Sequence, residues 1–569
     1  MTDNNSPTST GTTDDSKIII GLDFGTTYSG AVWAHSQTPK ELIEIKDWPG
    51  SRSGDHCNSE KVQSQIRYLD NGEFEWGAQV ANDADPREVH KLFKLLLAEE
   101  NLFENATAAL GGVPLPTNVD QTITDYMTGI FECVLRSIRG RLGPDMADRL
   151  PAHIVLTVPA IWSDLAKQRT MQAFSRVPKM AEATISLLSE PEAAAISALR
   201  ELDRGSIRDG DTFVVVDAGG GTVDLITYTV DSLFPMLKVN EATVGTGDLC
   251  GAAFVNLRFQ QFLTAKLQNE PEWDTDVLHE ALKSFETRAF SLSALAENRT
   301  YSINVGGLTQ NIEAGVLRNG RYFLNSSDVH MFYERYILRI VQLIKEQIVM
   351  CDNPIQTILL VGGFGQSMYL RERVERAISE DKSIQAPMEV LQPPNGWLAV
   401  ARGAVMKGIA EVMPEDYDIP VVMSRAARKH YGYEVGVRFD SNVHSSLISQ
   451  KYWNAVFGAW HVRAMAWFIK RGERVSEDVP FTKSYFYHWP VGTQRRQNYP
   501  LAIYADEISS KAPIARSGNV RMMCRLTADL SPIPENELDQ RLGADGRMHY
   551  EVEFEVEAIW KRYDTVTAE

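Results

Sequence analysis

Ile18-Ile19-Ile20-Gly21-Leu22-Asp23-Phe24-Gly25-Thr26-Thr27-Tyr28-Ser29 sets the plan of this chain, and Phe213-Val214-Val215-Val216-Asp217-Ala218-Gly219-Gly220-Gly221-Thr222-Val223-Asp224 repeats it, with the two leading aspartates 194 residues apart. In each, a β-branched strand delivers an Asp, then glycines, then a Thr, then a second apolar strand, Gly30 to Ala34 or Leu225 to Val230. Glycines permit positive φ and close backbone approach, so a turn of this kind exposes N–H groups as an anion-binding nest. An Asp at the strand end can hold Mg²⁺ through its water shell. One Gly-Gly-Gly-Thr turn alone reads equally as an ordinary hairpin loop. Two copies with Asp and Thr in the same places point to two homologous halves clamping the phosphates of one nucleotide.

A third element follows. Thr357-Ile358-Leu359-Leu360-Val361 is a buried strand that runs into Gly362-Gly363-Phe364-Gly365-Gln366-Ser367 and a helix from about Met368 to Ser379. Bare glycines at a strand's carboxyl end leave room for a base and ribose, although an ordinary βα turn would look the same. Between these landmarks, from Ile18 to about Ala410, short β-branched runs such as His153 to Val158 alternate with helical patterns, the rhythm of an α/β protein. Residues 1–17 are polar and read as a disordered tail. The acidic, Pro-bearing stretch at 411–422 reads as a linker. Residues 423–569 carry period-two segments such as Tyr550 to Val556, preceded by the turn Ala544-Asp545-Gly546, and read as all-β.

The bulk numbers narrow the function. The 569 residues carry 57 Lys and Arg against 75 Asp and Glu, a net charge of −18, with no basic run. That is the wrong field for holding nucleic acid or anionic lipid, so neither is expected as a partner. The N-terminus has no apolar signal region and no stretch has the apolar length of a membrane span, which points to the cytoplasm, with the nucleus also compatible. Five scattered cysteines (Cys57, Cys133, Cys250, Cys351, Cys524) fit reduced thiols and supply no Cys-x-x-Cys metal site.

Taken in this order and spacing, the three glycine motifs resemble the actin-like ATPase superfamily. Further residues resemble its seventy-kilodalton heat-shock chaperones: His153 to Asp164 with Lys167-Gln168-Arg169, and Ser189-Glu190-Pro191-Glu192-Ala193-Ala194-Ala195. The likeness continues more faintly through Trp467 to Pro480 and Asp545 to Glu557, which look like strands of the family's peptide-binding sandwich. It implies a two-lobed α/β actin-like (ribonuclease H-like) ATPase domain over 18–410, then a smaller all-β, sandwich-like domain. With the chain stopping at Glu569, no length remains for the family's helical lid, which is nearest the divergent lidless members of fungi and animals.

Roles follow from the resemblance. Gly25, Thr26, Thr27 and Tyr28, with Gly219, Gly220, Gly221 and Thr222, would cradle the phosphates of ATP or ADP, and Asp23 and Asp217 would position hydrated Mg²⁺. Glu190 would orient or deprotonate the attacking water, Lys94 would stabilise the transferring phosphoryl group, and Asp217 and Thr222 belong to the same catalytic set. Glu286 and Arg288 would sit at the base, with Gly362, Gly363, Phe364 and Gln366 opposite. Lys94 also reads as the solvated face of a helix whose apolar side is Leu92, Leu95 and Leu96, and Glu190 as an acid favoured by a helix N-terminus.

There are departures from the family pattern. Cys250-Gly251-Ala252-Ala253 lacks an acid that touches the nucleotide there, and Trp397 stands where the family has a catalytic-site Asp. These leave the phosphate cradle better preserved than its surroundings, so ATP binding with slow or lost hydrolysis is expected. The aromatics Trp453, Trp460, Trp467, Tyr485, Phe486, Tyr487 and Trp489 read mainly as sandwich core, and Arg425 to His430 as a solvated basic face or, alternatively, a contact for the acidic ATPase lobes. Partners are then client polypeptides of an ATP-dependent chaperone or, alternatively, one dedicated protein bound by a nucleotide-sensing adaptor. A small-molecule kinase on this fold finds no supporting feature.

Overall fold

The computed structural model describes residues 16–50, 59–81, 84–85, 87–98, 115, 117–178, 183–201, 207–289, 292–293, 299–317, 319–384, 387–413, 419–476, 479–493, 498–529, 532–561 and 565–568. Most of the expected tail, part of the expected linker (414–418) and Cys57 lie outside these residues. Two compact units are present: one runs to Lys238 and from Thr246 to Val421, the other comprises Val239–Gly245 and the chain from Val422.

In the first unit one strand plan occurs twice. Ile18–Asp23 pairs antiparallel with Tyr28–His35 and parallel with Ala152–Val158, which pairs parallel with Thr184–Ser189. Thr212–Ala218 pairs antiparallel with Val223–Ser232 and parallel with Thr357–Val361, which pairs parallel with Glu389–Leu391. Every residue of Ile18–Asp23 and of Thr212–Ala218 is buried, as strands covered on both faces must be. That double cover is why their sequences are largely apolar runs, interrupted by Asp23 at the end of one and by Thr212 and Asp217 in the other. The registers match as well: Asp23 stands opposite Gly30 and Asp217 opposite Asp224, so each carboxylate ends up beside its glycine turn.

Two helices, Glu190–Glu201 and Ala399–Val412, pack through small residues. A Cβ on Gly403 would lie 1.7 Å from the Ala193 carbonyl oxygen, and one on Gly21 2.4 Å from that of Ala401. Only glycine lets these backbones approach so closely. Ala in place of Gly raises helix propensity by about 1 kcal/mol, but here overpacking against backbone opposes it with roughly 1–3 kcal/mol or more. Gly403→Ala should therefore lower the denaturant midpoint without changing the slope of the unfolding transition; an unchanged or raised midpoint would contradict this packing.

A larger core gathers around the helices Ala252–Leu267, Thr275–Ala289 and Ser326–Met350, where Phe259 and Phe285 stack with ring centroids 4.2 Å apart. The long Ser326–Met350 helix starts where its sequence says it should. Asn325 accepts from Asp328 N, and Asp328 reaches back to Asn325 N, a reciprocal cap.

The second unit is built on antiparallel strands. One sheet runs Tyr452–Asn454, Ala459–Ile469, His430–Arg438, Asn498–Asp506, Arg521–Asp529; another joins Pro480–Pro490, Met548–Lys561 and Asp539–Leu542, with Thr565–Ala568 on Met548–Lys561. Two expectations need correction here. The basic cluster is not a solvated face: Arg425 and His430 are buried, and Arg428 makes a forked pair to the buried Glu241 at 2.8 and 3.1 Å. Arg428 is held there because Glu241, on the inserted Val239–Gly245 stretch, also accepts from the Ala426 N–H and has no water to turn to. The aromatics are less uniformly core than expected. Tyr485 is buried, but Trp453, Trp460 and Phe486 are exposed, the two tryptophans forming an edge-to-face cross-strand pair.

Candidate functional site

The first glycine turn is fixed by a neighbour from outside it. Ser64 Oγ donates to the Gly25 carbonyl at 2.7 Å and Ser64 N to the Thr27 carbonyl at 2.8 Å, because Val62–Gln63 pairs with Tyr28 and Ser29. The second turn closes on itself through Gly219 N to Thr222 O and is held from behind by a helix start. The N–H groups of Gly251, Ala252 and Ala253 donate to the carbonyls of Gly221, Gly219 and Gly220. The stretch that lacks the family's acid therefore orients the glycine turn through backbone donors of a helix N-terminus.

The two turns meet. A Cβ on Gly220 would lie 1.9 Å from Thr27 Oγ1, and one on Gly221 2.7 Å from the Thr26 side chain. The glycines are needed here for approach between hairpins as much as for the turn. At the third motif Gly362 has φ +80°, and a Cβ there would lie 2.4 Å from Asp217 Oδ1. The motif at 362 thus abuts the second strand-end aspartate directly. A Cβ on Gly363 would strike the Trp397 ring at 2.3 Å, and Trp397 in turn lies 5.5 Å from the Tyr28 ring.

Charge is concentrated between the turns. Asp23, Asp217, Asp224 and Glu190 are all buried, and so are Lys61 and Lys94. Lys94 Nζ sits 2.5 Å from Glu190 Oε1, with the Phe24 and Trp162 rings 5.6 and 5.4 Å from the ammonium. Lys94 is therefore not on a solvated helix face: it lies on a one-turn helix, Phe93–Leu97, and is 2% exposed. Burial pushes the Glu190 carboxyl up to about 7; the Lys94 charge opposes this, and Asp23 and Asp224 reinforce it. Burial likewise holds Asp224 up at about 6 against hydrogen bonds from Thr222 and the Ile161 N–H. Asp217 is raised well above the usual carboxylate range by burial and then by Glu190, Asp23 and Asp224.

These groups decide what a cation would find. Among the described residues no three acidic, His or Cys side chains are grouped closely enough to ligate a metal directly. Asp217 fits a cation, since a buried carboxylate among like charges is relieved by one. Asp23 fits less well because Lys61 Nζ already lies 2.6 Å from its Oδ2.

The expected base contacts are placed unevenly. Glu286 and Arg288 are exposed on the helix Thr275–Ala289; Asn256 donates to Glu286 at 2.6 Å, and Glu286 acts with burial to push the Tyr28 phenol up. Gln366 Nε2 is buried and has no hydrogen-bond partner among the described residues, which leaves it a donor for a ligand. The Phe364 side chain is buried in the large core, 6.1 Å from Tyr333, so that its backbone is what remains for binding. Sequence reading also missed two groups. Asp224 was part of the quoted motif but given no role, and Lys61 carried no local signal at all.

A family model described as "Hsp70 protein" matches residues 130–417, about half of the chain, beginning after the first glycine hairpin. Among curated proteins the chain is similar to human heat shock 70 kDa protein 12B, at 23% identity over 69% of this chain and 68% of that protein. It is 22% identical to mouse heat shock 70 kDa protein 12A, over 75% and 73% respectively. It is also 23% identical to the chaperone protein HscA of Proteus mirabilis, over 72% of this chain and 65% of the relative.

Proposed function

The chain belongs to the Hsp70 family, and on that premise we propose that it binds ATP between its two glycine hairpins and hydrolyses it slowly, in a cycle that changes client affinity at the β-rich second unit. The two strand plans are read as the two lobes of the actin-like domain. The observation that carries the proposal is the Lys94–Glu190 pair, buried among the aspartates that end both hairpins.

Each group then has a task. The N–H groups of Gly220 and Gly221 and the hydroxyls of Thr26 and Thr27 hold phosphate oxygens, the Gly219 N–H being used to close the turn. A hydrated magnesium ion at Asp217 would supply charge neutralisation. Lys94, kept dry between Phe24 and Trp162, stabilises negative charge on the phosphoryl group more strongly than it would in water. Glu190, lifted to about 7, is poised to take a proton from water near neutral pH.

The second reading, a nucleotide-sensing adaptor or pseudo-ATPase with one dedicated partner, is favoured by the neutralised Asp23 and by Trp397 in the cleft. Calorimetric ATP binding and single-turnover hydrolysis, measured on one preparation, separate them. Saturable binding with turnover above buffer and above Thr222→Ala supports the ATPase. Binding without turnover supports the adaptor, and absence of ATP binding sinks both.

A further inference from the structure

We propose that Lys61 is a phosphate-binding residue that brings to Asp23 the positive charge otherwise supplied by a divalent cation, so that nucleoside triphosphate binding persists without magnesium. The inference rests on the ATP-binding reading of the same site. Lys61 is 8% and Asp23 5% exposed, and the 2.6 Å contact between them is made at the strand end beside the first glycine turn. A buried ion pair is a costly way to fill space, and apolar residues of the same volume would serve the core as well or better. Its place among the phosphate-facing groups gives the charge another use.

The surroundings support that use. Four buried carboxyl groups face two buried lysines here, so ionising all of them would leave an excess of negative charge that repels a polyphosphate. Lys94 pairs with Glu190, and Lys61 is the lysine that pairs with Asp23. Its charge also reaches Asp217, where it counteracts the effect of the neighbouring carboxylates. An ammonium has three N–H donors, and among the described residues the one hydrogen bond from Lys61 Nζ goes to Asp23 Oδ2. Donors therefore remain for phosphate oxygens. The stem is held in place: it packs on Gly30, where a Cβ would lie 3.1 Å from Lys61 Cγ, and the ammonium lies 5.3 Å from the Trp397 ring. Gly30 and Trp397 thus shape a slot that fits a lysine at Asp23.

The test is ATP affinity by calorimetry on the full chain, in excess EDTA and in Mg²⁺, for wild type, Lys61→Met and Lys61→Arg. Wild-type affinity should change by less than about threefold on chelation, while Lys61→Met should lose about tenfold or more in EDTA and regain most of it in Mg²⁺. Lys61→Arg should follow wild type. A tenfold or greater loss by wild type in EDTA overturns the proposal, as does Lys61→Met binding like wild type there. Should Lys61→Met not fold, as judged by circular dichroism, the wild-type and Lys61→Arg arms still decide. ATP binding by wild type only in Mg²⁺ leaves the ATP reading standing and removes the role of Lys61; no binding in either buffer refutes both.

Discussion

Glu190→Gln should retain ATP affinity within about threefold of wild type, while single-turnover hydrolysis falls by roughly 10²–10⁴-fold, the range that a positioned general base contributes. Gln keeps the shape and a hydrogen-bonding oxygen but cannot accept the proton. Loss of rate without loss of affinity is the signature of an interaction made in the transition state. The partner variant behaves differently. Lys94→Met leaves Glu190 buried among Asp23, Asp217 and Asp224 with its cation gone, and above pH 7, where Glu190 is ionised, breaking a buried pair in this way costs about 3–5 kcal/mol. Much of that cost should disappear in Lys94→Met/Glu190→Gln, which buries no unpaired charge, yet the double variant should remain as slow as Glu190→Gln. Stability recovered without rate recovered would separate the catalytic role of the pair from its structural one. Turnover by Glu190→Gln at the wild-type rate would remove Glu190 from the mechanism.

The parts of this site that sequence made legible are those whose chemistry is local. A β-branched run ending in Asp and glycines states both the strand and its phosphate turn within a dozen residues, and the structure gives Thr357–Val361 and Met368–Ser379 with the expected bounds. Lys94 and Glu190 are 96 residues apart, and only resemblance to a family joined them before the geometry did. Lys61 had no such help. It reaches Asp23 across 38 residues because the two-residue strand Val62–Gln63 adds to the first hairpin, and a strand that short leaves no periodicity to read. Phe364 shows a related limit: a residue inside a glycine motif shares the motif's backbone role, while its side chain follows the core behind it. Arg428 shows the limit for charges. A basic run looks solvated until the fold brings Glu241, from an insertion in the preceding unit's sequence, to meet it.

The same carboxylates make an unusual prediction for stability against pH. Without nucleotide or divalent cation, the protein should become less stable as pH rises from about 4.5 to about 7, the window between the ordinary range of these carboxyls and the folded values of Glu190 and Asp224. The sign follows from proton counting. A carboxyl whose folded pKa is raised holds its proton in the folded state at a pH where the unfolded chain has released it, so the folded state binds more protons and stability falls with rising pH. Each such group contributes about 1.4 kcal/mol per pH unit within its own window. Glu190 and Asp224 together should therefore remove several kcal/mol, with Asp217 adding in the same direction. Most proteins lose stability in the opposite direction, toward acid, because their carboxylates are paired in the native state. Melting temperatures across this window should fall toward pH 7 and then level off. Glu190→Gln and Asp224→Asn should each flatten the slope, and Mg²⁺ with ATP should raise the melting temperature most at the alkaline end, where the ionised cluster most needs positive charge. A melting temperature that rises steadily from pH 4.5 to 7 would mean that these carboxylates are ionised and stably paired in the free protein, and the electrostatic basis assigned to Glu190 as a base near neutrality would go with it.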